Sequence, residues 1–183
     1  MQNIFENTIT NVAKVLNDAG SPPILVGGWA VNLLGVTRQT LDFDMMIFQD
    51  LFEIAKESLE KSGYQMQVKT KLYARFENKN AVIELIDTLF ADERTYNILS
   101  SGTEENICGG TFILPKKEHI IAMKLHAVKY GEGHRGSKDF QDITDIIKAN
   151  DIDIYTKDFK QLCLKYGEES IYKRIKNECE TTK

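Results

Sequence analysis

The chain predicts an α/β (α+β) fold, a mixed sheet flanked by helices with a C-terminal helical part. Three observations carry this expectation. Apolar runs of strand length alternate with helically periodic segments up to about residue 115. One run, Leu41 to Phe48, is almost continuously apolar yet contains Asp42 and Asp44, as a central strand with a functional face would. Beyond Pro115 the periodicity is helical throughout.

Each element has its own local reason. Ile4, Phe5, Ile9, Val12, Val15 and Leu16 recur at helical spacing, and Gly20 supplies a stop. Pro22-Pro23 launches a short buried strand from Ile24 to Val26. A helix from about Gly28 to Gly35 follows, and Leu41 to Phe48 reads as a strand. Phe52, Ile54, Ala55 and Leu59 mark a helix that stops near Gly63. Segments near 64–77 and 80–90 alternate as sheet, with Asn78-Lys79-Asn80 as the turn between them. A short helix is expected near Glu93–Leu99, then a hairpin around Cys108-Gly109-Gly110. Helices follow at about 117–130 and 136–149, and two more lie between about 156 and 178. Gly131 to Gly136 is the one flexible-looking break. The division expected is an α/β core over 1–115 and a helical part over 116–183.

Composition narrows the class. The 183 residues are 42% hydrophobic and 27% charged, as in ordinary globular proteins. A net charge of −4 argues against a general coat for nucleic acid, though not against a local basic groove. Cys108, Cys163 and Cys179 are odd in number and lack metal spacing, which points to reduced thiols and a cytoplasmic location. The first residues do not read as a signal peptide, and no apolar run is long enough for a membrane helix.

Asp42 and Asp44 carry the chemistry. Side chains i and i+2 share one face of a strand, so both carboxylates aim at one point while Phe43 is buried behind them. Like charges held that close coexist cheaply only around a cation, and hard oxygen donors suit Mg²⁺ or Mn²⁺. Fourteen residues before Asp42 stand Gly27 and Gly28. Paired glycines at a strand-to-helix turn let the backbone approach a phosphate at a helix N-terminus. A further carboxylate comes from Glu84 or Asp87; three apart, the two face opposite sides of a strand.

The ordered set Gly27-Gly28, Asp42-Phe43-Asp44 and the acid-bearing run Val82 to Phe90 resembles the nucleotidyltransferase superfamily of polymerase-β type. Downstream, Ile120 to Ala127 and Lys138 to Ile143 look like the helical part of small bacterial members, including the AbiEii toxin type. The likeness covers roughly positions 22 to 145 and implies the nucleotidyltransferase fold. It implies Asp87 as the third acid, binding metal with Asp42 and Asp44 and taking the proton of an attacking hydroxyl. The glycines would cradle phosphates. Arg38 would either bind phosphate or pair with the acidic strand. Lys124 and Lys138 would neutralise the triphosphate, with Asp142 as a support for one of them. The substrate implied is a nucleoside triphosphate. The acceptor is open between RNA (tRNA among them), protein and a small antibiotic, and a cognate antitoxin is a further partner the toxin type implies. A second class stays open: a nucleotide-binding or antitoxin-type module without turnover, distinguished by a third acid that fails to face the pair.

Overall fold

A computed structural model describes residues 3–131 and 134–180, with backbone only for His134 and Arg135. The chain forms two compact units. One comprises Met1–Ala30 and Arg38–Lys116, the other Val31–Thr37 and Lys117–Lys183.

The first unit is built on a seven-stranded sheet. Its elements are α1 (Ile4–Asp18), β1 (Ile24–Leu25), the start of α2 (Gly27–Leu33), β2 (Asp42–Phe48), α3 (Phe52–Lys61), β3 (Gln65–Lys69), β4 (Tyr73–Glu77), β5 (Leu85–Ala91), α4 (Glu93–Leu99), β6 (Thr103–Ile107) and β7 (Gly110–Leu114). Strand order is β3-β4-β5-β2-β1-β7-β6. β2 runs parallel to β5 and β1 parallel to β7, whereas the remaining neighbours are antiparallel, so the sheet is mixed.

Local chemistry sets these boundaries. Asn3 caps α1, its side chain accepting from the Phe5 N–H at 3.1 Å, and Asp92 caps α4 through the Thr95 N–H at 2.7 Å. α1 is stitched to the β6–β7 hairpin: Thr10 Oγ1 donates to the Cys108 carbonyl at 2.7 Å and Asn17 Nδ2 to the Thr111 carbonyl at 2.9 Å. The stretch 64–77 is two strands where one sheet segment was expected. Thr70 turns the chain, its hydroxyl accepting from the Leu72 and Tyr73 N–H groups at 3.1 Å each. β3 is an edge strand, exposed along its length, and its pairing with β4 is irregular between Met66 and Val68.

The sheet has two unlike faces around β2. Phe43, Met45 and Ile47 are fully buried on one. There the Phe43 ring sits 5.5 Å from the rings of Phe5, Trp29 and Phe112. Asp42 and Asp44 alternate onto the opposite face and are only half-buried.

The second unit holds α5 (Lys117–Tyr130), α6 (His134–Ala149), α7 (Lys157–Tyr166) and α8 (Glu169–Glu180). α5 packs on α6 and α7, and α8 on α6 and α7. Ile121, Leu125, Ile143, Ile146, Cys163 and Ile175 form its interior. Arg174 stacks on Phe140, 3.8 Å from the ring centre. α6 begins inside the stretch read as a break; of that break, Glu132 and Gly133 lie outside the described residues. Among the described residues no helix is long and apolar enough to cross a membrane.

Two stability outcomes follow from this packing. Phe43→Ala should cost about 3–5 kcal/mol in chemical denaturation, whereas exposed Leu41→Ala should stay within about 0.5 kcal/mol; similar costs for the two would contradict the assignment of Phe43 to the core. Lys124 and Asp142 are buried, and the Lys124 ammonium lies 2.8 Å from half-buried Asp139 and 2.5 Å from Asp142. Removing the cation as Lys124→Met should destabilise by roughly 3–5 kcal/mol, because buried Asp142 and half-buried Asp139 both lose a paired cation. A loss under about 1 kcal/mol in the same assay would show that the cluster is dispensable.

Candidate active site

The site is assembled by strand register. Asp44 faces Asp87 across the parallel β2–β5 ladder, and Asp87 faces Arg75 across the antiparallel β5–β4 ladder. Asp44, Asp87 and Arg75 thus form one row over three adjacent strands, with Asp42 two positions earlier on the same face. One carboxylate oxygen from each of Asp42, Asp44 and Asp87 lies within 4.8 Å of the others. Glu84 is exposed, precedes β5 and is not part of this group.

Asp42 and Asp87 each have a side-chain partner. Thr40 Oγ1 donates to Asp42 Oδ1 at 2.8 Å. Arg75 grips Asp87 bidentately, Nε to Oδ1 at 2.7 Å and Nη2 to Oδ2 at 2.6 Å. That hydrogen-bonded pair pushes the Arg75 guanidinium above its already high range. Partial burial opposes the shift, and the charges of Asp87, Tyr73 and Asp42 add to it.

The glycines are fixed by what stands over them. Gly27 has φ of 64°, and a Cβ there would fall 1.8 Å from Asp44 Oδ2. Only a residue without a side chain fits both the left-handed backbone and the carboxylate. A Cβ on Gly28 would meet Thr40 Oγ1 at 2.5 Å and Arg38 Nη2 at 2.7 Å. Gly27, Gly28, Arg38, Thr40 and the three aspartates therefore cluster in the first unit. Lys124 and Lys138 belong to the second, where Lys124 is held by Asp139 and Asp142 and Lys138 is exposed on α6. Trp29 packs by its ring against Phe5 and Phe43.

The donor set fits a hard divalent cation. Three carboxylates converge on a half-buried face, where their repulsion favours a cation between them, and carboxylate oxygens are the ligands Mg²⁺ and Mn²⁺ prefer. Arg75 is the residue that sequence reasoning missed. Its signal was a charged residue inside the alternating run Tyr73-Ala74-Arg75-Phe76-Glu77, but spacing alone does not give the β4–β5 register that puts it on Asp87.

Comparison with known proteins gives a family and a fold. Residues 5–177 match the model of a family described as "Nucleotidyl transferase of unknown function (DUF2204)". No curated protein matches the chain significantly. Among solved structures, the fold resembles the antibiotic-resistance factor ANT(2'')-Ia, with a TM-score of 0.63 and 15% identity over 99% of this chain and 100% of that one. It also resembles the lincosamide antibiotic adenylyltransferase LnuA, solved with lincomycin bound, at a TM-score of 0.55 and 16% identity over 80% of this chain and 99% of that one. An antigenic nucleotidyltransferase-like protein from Paracoccidioides brasiliensis gives 0.54 and 19%, over 87% and 85%. At these identities the likeness speaks for the fold.

The glycine argument has a measurable outcome. Gly20 also has positive φ, 75°, but open space where its Cβ would be. Gly20→Ala should cost only the left-handed strain, about 1–2 kcal/mol. Gly27→Ala should cost clearly more in the same denaturation series, because it also drives Asp44 aside. Equal costs would show that Asp44 does not rest on Gly27.

Proposed function

The chain belongs to this nucleotidyl transferase family, and on that premise we propose that Asp42, Asp44 and Asp87 are its catalytic centre, moving a nucleoside monophosphate from a nucleoside triphosphate to an acceptor hydroxyl. The observation that carries the reading is the convergence of the three carboxylates beside Gly27. A divalent ion bound there, Mg²⁺ or Mn²⁺, would supply neutralising charge for the α-phosphate and the departing pyrophosphate.

The chain's own residues do the positioning. Asp42, Asp44 and Asp87 would hold the ion, with Thr40 orienting Asp42. Backbone N–H groups at Gly27 and Gly28 are the proposed seat of the terminal phosphates, and Arg38 stands beside Gly28 as a cation for them. The acceptor oxygen forms its bond to the α-phosphorus as the bond to the bridging oxygen breaks. Pyrophosphate carries that electron pair away, and Asp87 receives the acceptor's proton. Little covalent work falls to the protein, so alignment and charge placement carry the rate. Lys138 remains a phosphate candidate, to be judged by the nucleotide KM of Lys138→Ala, and Lys124 is assigned first to Asp139 and Asp142.

The likeness to ANT(2'')-Ia and LnuA makes the hydroxyl of a small polar molecule the first acceptor to test. RNA and protein acceptors, which the resemblance to toxin-type members implies, belong in the same experiment. Purified protein would be given Mg²⁺, each nucleoside triphosphate labelled at the α-phosphate, and in turn aminoglycosides, lincosamides, total RNA and cell protein. Label should move to one acceptor class, and Asp42→Asn or Asp44→Asn should lower transfer at least about a hundredfold with the fold intact by circular dichroism. Equal transfer by both variants would sink the assignment; nucleotide binding with no transfer to any acceptor would favour a binding module.

A further inference from the structure

The transfer chemistry makes no call on Arg75, yet its guanidinium occupies the carboxylate that the third-ligand role needs. Both Asp87 oxygens are engaged, at 2.7 and 2.6 Å. A planar fork matched to a carboxylate is among the strongest side-chain pairings available, and it directs both oxygens toward β4. One oxygen of Asp87 nevertheless lies within 4.8 Å of oxygens on Asp42 and Asp44. Asp87 therefore stands between two cation positions, the guanidinium on its β4 side and the acid cluster on its β2 side.

We propose that Arg75 is a positioning residue that sets divalent-ion occupancy of the triad: it neutralises Asp87 while no ion is bound, and gives up at least one of its two hydrogen bonds when an ion enters. The proposal rests on the metal-site reading above. Two observations shape it. The Arg75 side chain is 39% exposed and the Asp87 side chain 12%, so the guanidinium has water to swing into while the carboxylate stays fixed by its strand. Arg75 also adds a positive charge beside the position an incoming cation would take, and like charges at that range oppose each other. A purely supporting Arg75, one that only aims Asp87, predicts the opposite effect on metal affinity.

The test uses the full chain and Mn²⁺ alone, without nucleotide, in a calorimetric titration. Arg75→Gln should bind Mn²⁺ about tenfold more tightly than the unmodified protein, the size of effect one nearby charge exerts. Arg75→Lys should fall between, since it keeps the charge and loses the fork. Unchanged or weaker binding by Arg75→Gln, with Mn²⁺ binding still abolished by Asp44→Asn, would overturn the proposal and leave the metal site standing. Failure of the unmodified protein and Arg75→Gln alike to bind Mn²⁺ would overturn both. A second measurement needs no variant. The Arg75 Nε–H resonance should shift and exchange faster as Mg²⁺ is added; an unmoved resonance in the Mg²⁺-loaded protein would also overturn the proposal.

Discussion

Asp44 and Asp87 are direct neighbours across the parallel β2–β5 ladder, and backbone hydrogen bonding, not the carboxylates, fixes their separation. That constraint shapes everything around it. The repulsion must be offset locally, and Arg75 offsets it at Asp87. Asp44 needs room above the sheet, which Gly27 provides by having no Cβ. The strand itself must not shift, and Phe43 holds it from the other face by packing among Phe5, Trp29 and Phe112. Core and site are thus two faces of one strand, separated by a single residue's alternation.

The chain is an enzyme of the nucleotidyltransferase class by its family, and its mixed sheet is the fold that such enzymes share. A fold of this kind hosts many functions, so the acceptor has to be argued from the site and not from the fold. Arg38 and Thr40 illustrate how economical the shared part is. Both close over Gly28, and Thr40 at the same time orients Asp42, so one short segment before β2 serves the turn and the acid together.

Much of this was legible in the sequence. The apolar run around Asp42 and Asp44 marked a buried strand with one polar face, and α1 and α5 followed apolar spacing with Gly20 and Pro115 as punctuation. What escaped was one local turn and several pairings between distant residues. The extra strand in 64–77 depended on one threonine side chain folding back on the backbone, which residue counting does not reveal. Arg75 depended on register between strands joined by an irregular loop. Between Glu84 and Asp87 the residues alone were silent; register places Asp87, not Glu84, opposite Asp44. The cluster around Lys124 formed between two helices, so local pattern showed a lysine in an apolar stretch but not both of its partners.

The β2–β5 pairing joins residues roughly forty positions apart, a separation whose closure is slow because chain entropy is lost before contacts are gained. No fragment ending before β5 can contain the acid cluster. During synthesis the carboxylates of Asp42 and Asp44 therefore emerge well before their partner, and the cluster exists only once the central ladder has zipped. An ion that prefers the completed cluster would bind the folded chain and not the nascent one, shifting the equilibrium toward the assembled sheet by mass action. The ligand set would then act as a checkpoint on folding as well as a place for chemistry.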